Sequence, residues 1–266
     1  MIRKTMRLTL PGLFLVLSSL LIAASPDPSQ PPIEQATLLG ALKLDCELFH
    51  VQGLDLDSRR IWVTSVDLTN RKAYLHAFDR GTGKLLRRLE LTDGVRYHPG
   101  GISISGGSIW VPVAEMRANS SAVLVEIDAD SLTVRRRIHV SDHLGCVAAS
   151  GTTLVAGNWD SKLLYIFDLT DKGGVRTVPN PSGTRYQDMK LVGDQLVAGG
   201  SLTLWSGAVD WIDWPTMTVR RTLRAGAVGP VRSYTGEGMA IEGRDLYVLP
   251  EDGPSRMFHF RLDANG

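Results

Sequence analysis

The stretch from Gly107 to Val140, "GSIWVPVAEMRANSSAVLVEIDADSLTVRRRIHV", decides the fold. It holds three strand patterns. GSIWV is a short apolar run, VLVEID alternates and ends on Asp128, and LTVRRRIHV alternates with arginines at the polar positions. The same grammar recurs along the chain. YLHAFD, VLVEID, LLYIFD, AVDWID and FHFRLD end on Asp79, Asp128, Asp168, Asp213 and Asp263, at separations of 49, 40, 45 and 50 residues. RRIWV, GSIWV, TTLVA, DQLVA and RDLYV lie upstream of each; GKLLRRLEL, LTVRRRIHV, GGVRTV and MTVRRTLRA follow the first four. Small-residue runs starting near Gly53, Gly101, Cys146, Met189 and Gly238 complete the unit. Four short strands in about 45 residues make one propeller blade. Lettered a to d from the axis outward, strand a is small and apolar because the centre is crowded, and strand d is Arg-rich because it is the solvated rim.

The fifth unit stops at RLDANG without a strand d, and ATLLGALKLD, residues 36–45, supplies one. The expected fold is therefore all-β: a five-bladed propeller over residues 36–266, closed by an N-terminal strand that removes two sheet edges. The repeated aspartates are expected to cap the turns between strands c and d. Ahead of the propeller, MIRKTMR is basic, Leu8 to Ala24 is largely apolar, and AASPDPSQPP is small and Pro-rich. That order reads as a secretory signal peptide over 1–24 and a linker over 25–35. Export to the periplasm or the extracellular space follows, with no membrane association after cleavage. Cys46 and Cys146 fall two repeats apart, too far for a disulfide, so two buried free thiols are expected. Lys and Arg total 29 against 28 Asp and Glu, a balance that gives no argument for nucleic acid as a partner. A monomer is expected.

Chemistry-bearing residues gather at one face. His50, His98 and His143 each precede the strand-b anchor by the same spacing of 11 residues (61−50, 109−98, 154−143). They are equivalent positions at the channel mouth. The fourth blade offers Gln187 or Asp188 there, and the fifth Thr235 and Glu237. The b–c hairpins rim the same mouth with Asp67, Glu115, Arg117, Asn158, Trp159, Asp160, Glu251 and Asp252. Convergent imidazoles, carboxylates and an indole are the mark of a ligand site. Three imidazoles would suit a divalent metal such as zinc, and the carboxylates calcium. The competing reading is that each His satisfies backbone carbonyls and each acid caps a turn. GxSxG, HExxH and P-loop patterns are absent, and GTGK at Gly81–Lys84 sits in a c–d turn.

Taken together, VQGLDLD…IWVTSVD, RYHPGGI…IWVPVAE, DHLG…GNWDS, YQD and EGMAI…LYVLPEDGPSR resemble a family of exported bacterial and fungal propellers known only as a domain of unknown function. The resemblance spans roughly residues 50–260. HVQGLDLDSRRIWVTSV and GEGMAIEGRDLYVL are similar, more distantly, to plant-type glutaminyl cyclases, although GEG opens the last blade here and an early one there. That similarity implies an acid at the channel mouth, Glu237, as general acid–base, with Gln52 positioning it. VEIDADSLTVRRRIHV looks like the repeats of surface-layer propellers, which implies binding without catalysis. The expectation is an exported propeller that takes a small molecule or peptide end at its mouth. Glu237, His98 and Glu115 are candidate catalysts, Gln52 and Asp188 join the hairpin residues as ligand contacts, and His50, His98 and His143 are candidate metal ligands. A metal-assisted hydrolase or lactonase, a glutaminyl-cyclase-like enzyme and a non-catalytic scaffold remain open.

Overall fold

The computed structural model describes residues 33–170, 173–229 and 232–263. The expected signal peptide and the linker up to residue 32 lie outside them. Among the described residues no helix forms, and five sheets carry the fold. Blade 1 is His50–Leu56, Arg60–Asp67, Lys72–Asp79 and Leu85–Glu90. Blade 2 has a broken inner strand, His98–Pro99 and Ser103–Ser105, then Ser108–Ala114, Ala122–Asp128 and Val134–Val140. Blade 3 is Leu144–Ser150, Thr153–Asn158, Leu163–Asp168 and Gly174–Pro179. Blade 4 is Arg185–Val192, Gln195–Ser201, Gly207–Asp213 and Thr218–Ala225. Blade 5 is Gly238–Glu242, Asp245–Leu249, Arg256–Leu262 and, as expected, the N-terminal strand Ala36–Lys43.

Ile33–Glu34, at the end of the segment read as linker, forms a short strand parallel to Thr222–Leu223 and so widens blade 4. A second addition is the small hairpin Ala227–Val228 with Arg232–Ser233. The c–d aspartates cap turns in three blades: Asp79 accepts from Thr82, Asp128 from Ser131, and Asp168 from Thr170. Asp213 instead holds Arg220, and Asp263 accepts from Thr37 in the closing strand. Both cysteines are free, but only Cys146 is buried; Cys46 is half-buried.

Alternation places one apolar face of each sheet against the next. Trp62, Leu75 and Ala77 of blade 1 pack on Ile109, Val111 and Val125 of blade 2, and similar clusters fill the later gaps. Each fully buried Leu, Ile or Val contributes about 1.5–3 kcal/mol, so these gaps dominate stability.

The axis is packed. A Cβ on Gly101 would lie 2.3 Å from the Gln187 carbonyl oxygen, and one on Gly238 would lie 2.7 Å from the Leu54 nitrogen. Inner strands approach this closely only because glycine stands there. Gly101 donates to Gly145 at 3.0 Å and accepts from Val147 at 3.0 Å, stitching blade 2 to blade 3. Asp188, fully buried, draws in the other blades. Its Oδ2 accepts from Leu54 N at 2.9 Å and Met239 N at 3.1 Å; its Oδ1 accepts from Met189 N at 2.9 Å and Lys190 Nζ at 2.7 Å. Lys190 also donates to the Ile102 carbonyl at 2.7 Å. One carboxylate and one ammonium thus tie blades 1, 2, 4 and 5 together.

Candidate functional site

Antiparallel pairing decides which residues share the mouth. Each strand a begins where strand b ends: His50 opposite Val66, His98 opposite Ala114, Leu144 opposite Asn158, Arg185 opposite Ser201, and Gly238 opposite Leu249. The residues leading the inner strands and the b–c hairpins therefore lie on one face. A cavity of about 520 Å³ opens there. Of the expected residues it brings together His50, Gln52, His98, His143, Glu237 and the hairpin pair Trp159 and Asp160. Gln187, offered for the fourth blade, joins them, and so do Arg185 and Ser201, which the sequence reading missed.

One corner is ionic. His50 Nδ1 lies 2.9 Å from Glu251 Oε1, and Arg232 reaches the other Glu251 oxygen at 3.2 Å. Burial works against a charge on His50, but the bond to Glu251 and the nearby Glu237 outweigh it and raise its pKa. The bond to His50 lowers Glu251 against its own burial. Glu237 is different. Its exposure is to the cavity, it lies deep, and Gln52 Nε2 at 3.3 Å is its hydrogen-bond partner. Burial pushes its carboxyl up to about 8; His50 and Arg232 pull it down and Glu251 pushes it further up. At neutral pH this carboxyl carries a proton that it can give up and retrieve.

The opposite side is aromatic. His143, fully buried, places Nδ1 2.8 Å from the Glu115 carbonyl oxygen. A carbonyl only accepts, so neutral His143 carries its proton on Nδ1 and leaves Nε2 bare. The His98 ring lies 5.7 Å from that of His143, which meets Trp159 edge-on at 4.5 Å. Burial, reinforced by the two other imidazoles, depresses His98 to about 3, so it stays neutral through the physiological range. Its Nδ1 is buried without a hydrogen-bond partner among the described residues.

Several expectations need correction. The three imidazoles do not converge: among the described residues the metal-type donors that meet within 4.8 Å are those of His50, Glu237 and Glu251. Protein groups already engage these atoms, since His50 holds Glu251, Arg232 takes its second oxygen and Gln52 holds Glu237. The corner is therefore an ion-pair and hydrogen-bond cluster. Asp188 is the axial tie described above and does not reach the cavity. The Glu115 carboxylate turns back to Ser121 at 2.7 Å and Arg117 at 3.0 Å, so Glu115 and Arg117 both reach the site at His143 through their backbone, and the Arg117 guanidinium lies outside it. Asp67 caps its hairpin by accepting from Asn70 N and Nδ2. Asn158 accepts from Leu163 N, and Asp252 holds Arg256. These acids and amides answer hairpin geometry, as turn residues do. Arg185 was legible after all: it precedes Leu196 by the same 11 residues (196−185) that set the three histidines.

Residues 40–248 match the model of a family of unknown function, DUF6454, and the chain belongs to that family. Among solved structures it is similar to the glutaminyl cyclase of Myxococcus xanthus, at 16% identity and a TM-score of 0.67, over 88% of this chain and 99% of that one. A luciferin-regenerating enzyme is similar at 11% identity and a TM-score of 0.52, over 83% and 80%. A chain of a mitotic checkpoint complex is similar at 12% and 0.51, over 94% and 98%. At such identities the likeness shows the propeller fold. No match is found among the curated proteins.

Proposed function

We propose that the protein is an exported acyl-transfer enzyme that cyclises the N-terminal glutaminyl residue of a peptide, with Glu237 as its general acid–base. The observation that carries this reading is the Glu237 carboxyl itself: lining the cavity, bonded among the described residues to Gln52 alone, and raised to about 8. A peptide α-amine titrates at roughly 7.7–8.0. Donor and acceptor are thus matched, which is the condition for efficient proton exchange. The α-amine attacks the γ-carboxamide carbon and a C–N bond forms. Glu237, as carboxylate, takes the proton released by the amine. It returns that proton to the carboxamide nitrogen as the second C–N bond breaks and ammonia leaves. Gln52 holds the carboxyl in place. Similarity in fold to a glutaminyl cyclase supports the class, and the basic-then-apolar N-terminus supports export.

The test is ammonia release from peptides that begin with glutamine, followed by mass spectrometry of the product. The wild type is expected to turn over and Glu237→Gln to lose about 10²–10⁴-fold in kcat. Intact glutaminyl peptides after prolonged incubation with folded wild type would sink the reading. Elemental analysis of the same preparation is a second check, because stoichiometric zinc would point to metal-assisted hydrolysis instead.

A further inference from the structure

The mouth face carries large apolar side chains that the cavity chemistry does not need. Of six tryptophans, Trp62, Trp110 and Trp211 are buried in the gaps between blades, and Trp214 packs against such a core. The other two stand in solvent on the b–c hairpins of neighbouring blades: Trp159 is 43% exposed on blade 3 and Trp205 57% exposed on blade 4. Leu204 beside Trp205, Leu68 on the blade 1 hairpin and Met116 on the blade 2 hairpin are exposed as well. Scattered exposed apolar residues are ordinary. A set drawn from four successive hairpins around one cavity is not scattered.

The fifth hairpin breaks the pattern. Pro250 to Ser255 presents Glu251 and Asp252 in place of a large apolar group. The rim is thus uneven, with exposed apolar side chains on the hairpins of blades 1 to 4 and, on blade 5, carboxylates already paired with His50, Arg232 and Arg256. An occupant that brings its reacting amine to Glu237, as the cyclase reading requires, and also covers that rim carries bulky apolar groups a few residues on. A cavity of about 520 Å³ takes one or two residues, so the rest must lie on the hairpins. An extended polypeptide advances about 3.3 Å per residue and can run from the cavity to that rim.

We propose that the mouth face docks a polypeptide in one direction. Its N-terminus enters beside Glu237 and Glu251, and its next few residues, large and apolar, lie on Trp159 and Trp205. The inference rests on the cyclase reading and names its substrate class: polypeptides with apolar residues behind the N-terminal glutamine, rather than free glutamine or short polar peptides. The indoles are rigid and amphipathic, which suits them to such contacts.

Two labelled peptides test it, both beginning with glutamine, one continuing Phe-Leu-Trp-Leu and the other Gly-Ser-Gly-Ser. Binding is read by fluorescence anisotropy and turnover by ammonia release, for wild type and Trp205→Ser. The apolar peptide should bind at least about tenfold more tightly than the polar one. Trp205→Ser should erase most of that advantage and leave the polar peptide's binding and turnover as they were. Equal affinities, or an advantage that survives both Trp205→Ser and the double change with Leu204→Ser, would overturn the proposal. So would wild-type binding to zwitterionic vesicles that Trp205→Ser abolishes, because the collar would then be a membrane contact. If the preference for the apolar peptide holds but no ammonia appears with either peptide, docking stands and the cyclase chemistry falls.

Discussion

Two acids at the inner strands of neighbouring blades are held in opposite ways. Asp188 and Glu237 both lie deep, and burial pushes both carboxyls up, to about 7 and about 8. Asp188 accepts from three backbone N–H groups and from Lys190. Among the described residues Glu237 has one bond, from Gln52 at 3.3 Å, and it lines the cavity. A buried carboxyl with all its acceptor sites filled is part of the frame, whereas one left nearly bare beside a cavity is free to exchange its proton. Desolvation makes both unusual; the count of donors separates structure from chemistry.

The comparison breaks most visibly at Asp188. Asp188→Ala leaves the Lys190 ammonium and three backbone donors buried without an acceptor. Removing one partner of a buried pair costs about 3–5 kcal/mol, a large share of the stability of a domain this size. Urea denaturation should show the midpoint collapsing, or the variant should fail to accumulate as folded protein. A midpoint near that of wild type would show that the axial tie is dispensable.

Glu237→Gln should act in the other direction on stability. Below the ordinary glutamate pKa of 4.5 the residue is protonated in folded and unfolded chains alike. Above it the unfolded chain ionises while the folded one holds its proton up to about 8, so wild type loses stability across that window. The amide is spared this loss. The variant's Tm should therefore pull ahead of wild type between pH 5 and pH 9, by about 2–4 °C for each kcal/mol recovered. An unchanged gap in Tm across that range would show that Glu237 ionises freely.

Why the sequence distinguished blades well and these two acids poorly follows from the inner strands. Period, strand order and closure rest on alternation in strands b, c and d, which is regular; the rim arginines and turn aspartates stand where that alternation puts them. Strand a is irregular. It carries a bulge at Val51/Gly53, at Leu144/Cys146 and at Tyr186/Asp188, and in blade 2 it breaks between Pro99 and Ser103. A bulge inserts one residue and re-aims those after it, and a one-residue slip exchanges the faces. That is how Asp188, read as a mouth residue, came to face the axis while Gln187 lines the cavity. Spacing from the strand-b anchor survived the bulges better, since it finds His50, His98, His143 and Arg185 alike. Hairpin acids such as Glu115 and Asp67 carry no mark in the sequence that separates a turn cap from a ligand.

The finest division between frame and site is electrostatic. Arg232 is half exposed, bonds Glu251 at 3.2 Å, and helps hold the Glu237 pKa down. Arg232→Gln removes that positive charge and leaves the Glu237–Gln52 contact in place. The ionisation of Glu237 should then move up from about 8 by a few tenths of a unit, as expected for a solvent-screened charge. The acidic limb of the pH–rate profile reports that ionisation if the carboxylate is the form that starts the reaction. It should shift to higher pH in Arg232→Gln, and added salt should produce part of the same shift in wild type by screening Arg232. A limb that moves to lower pH, or that ignores both changes, would assign it to a group other than Glu237.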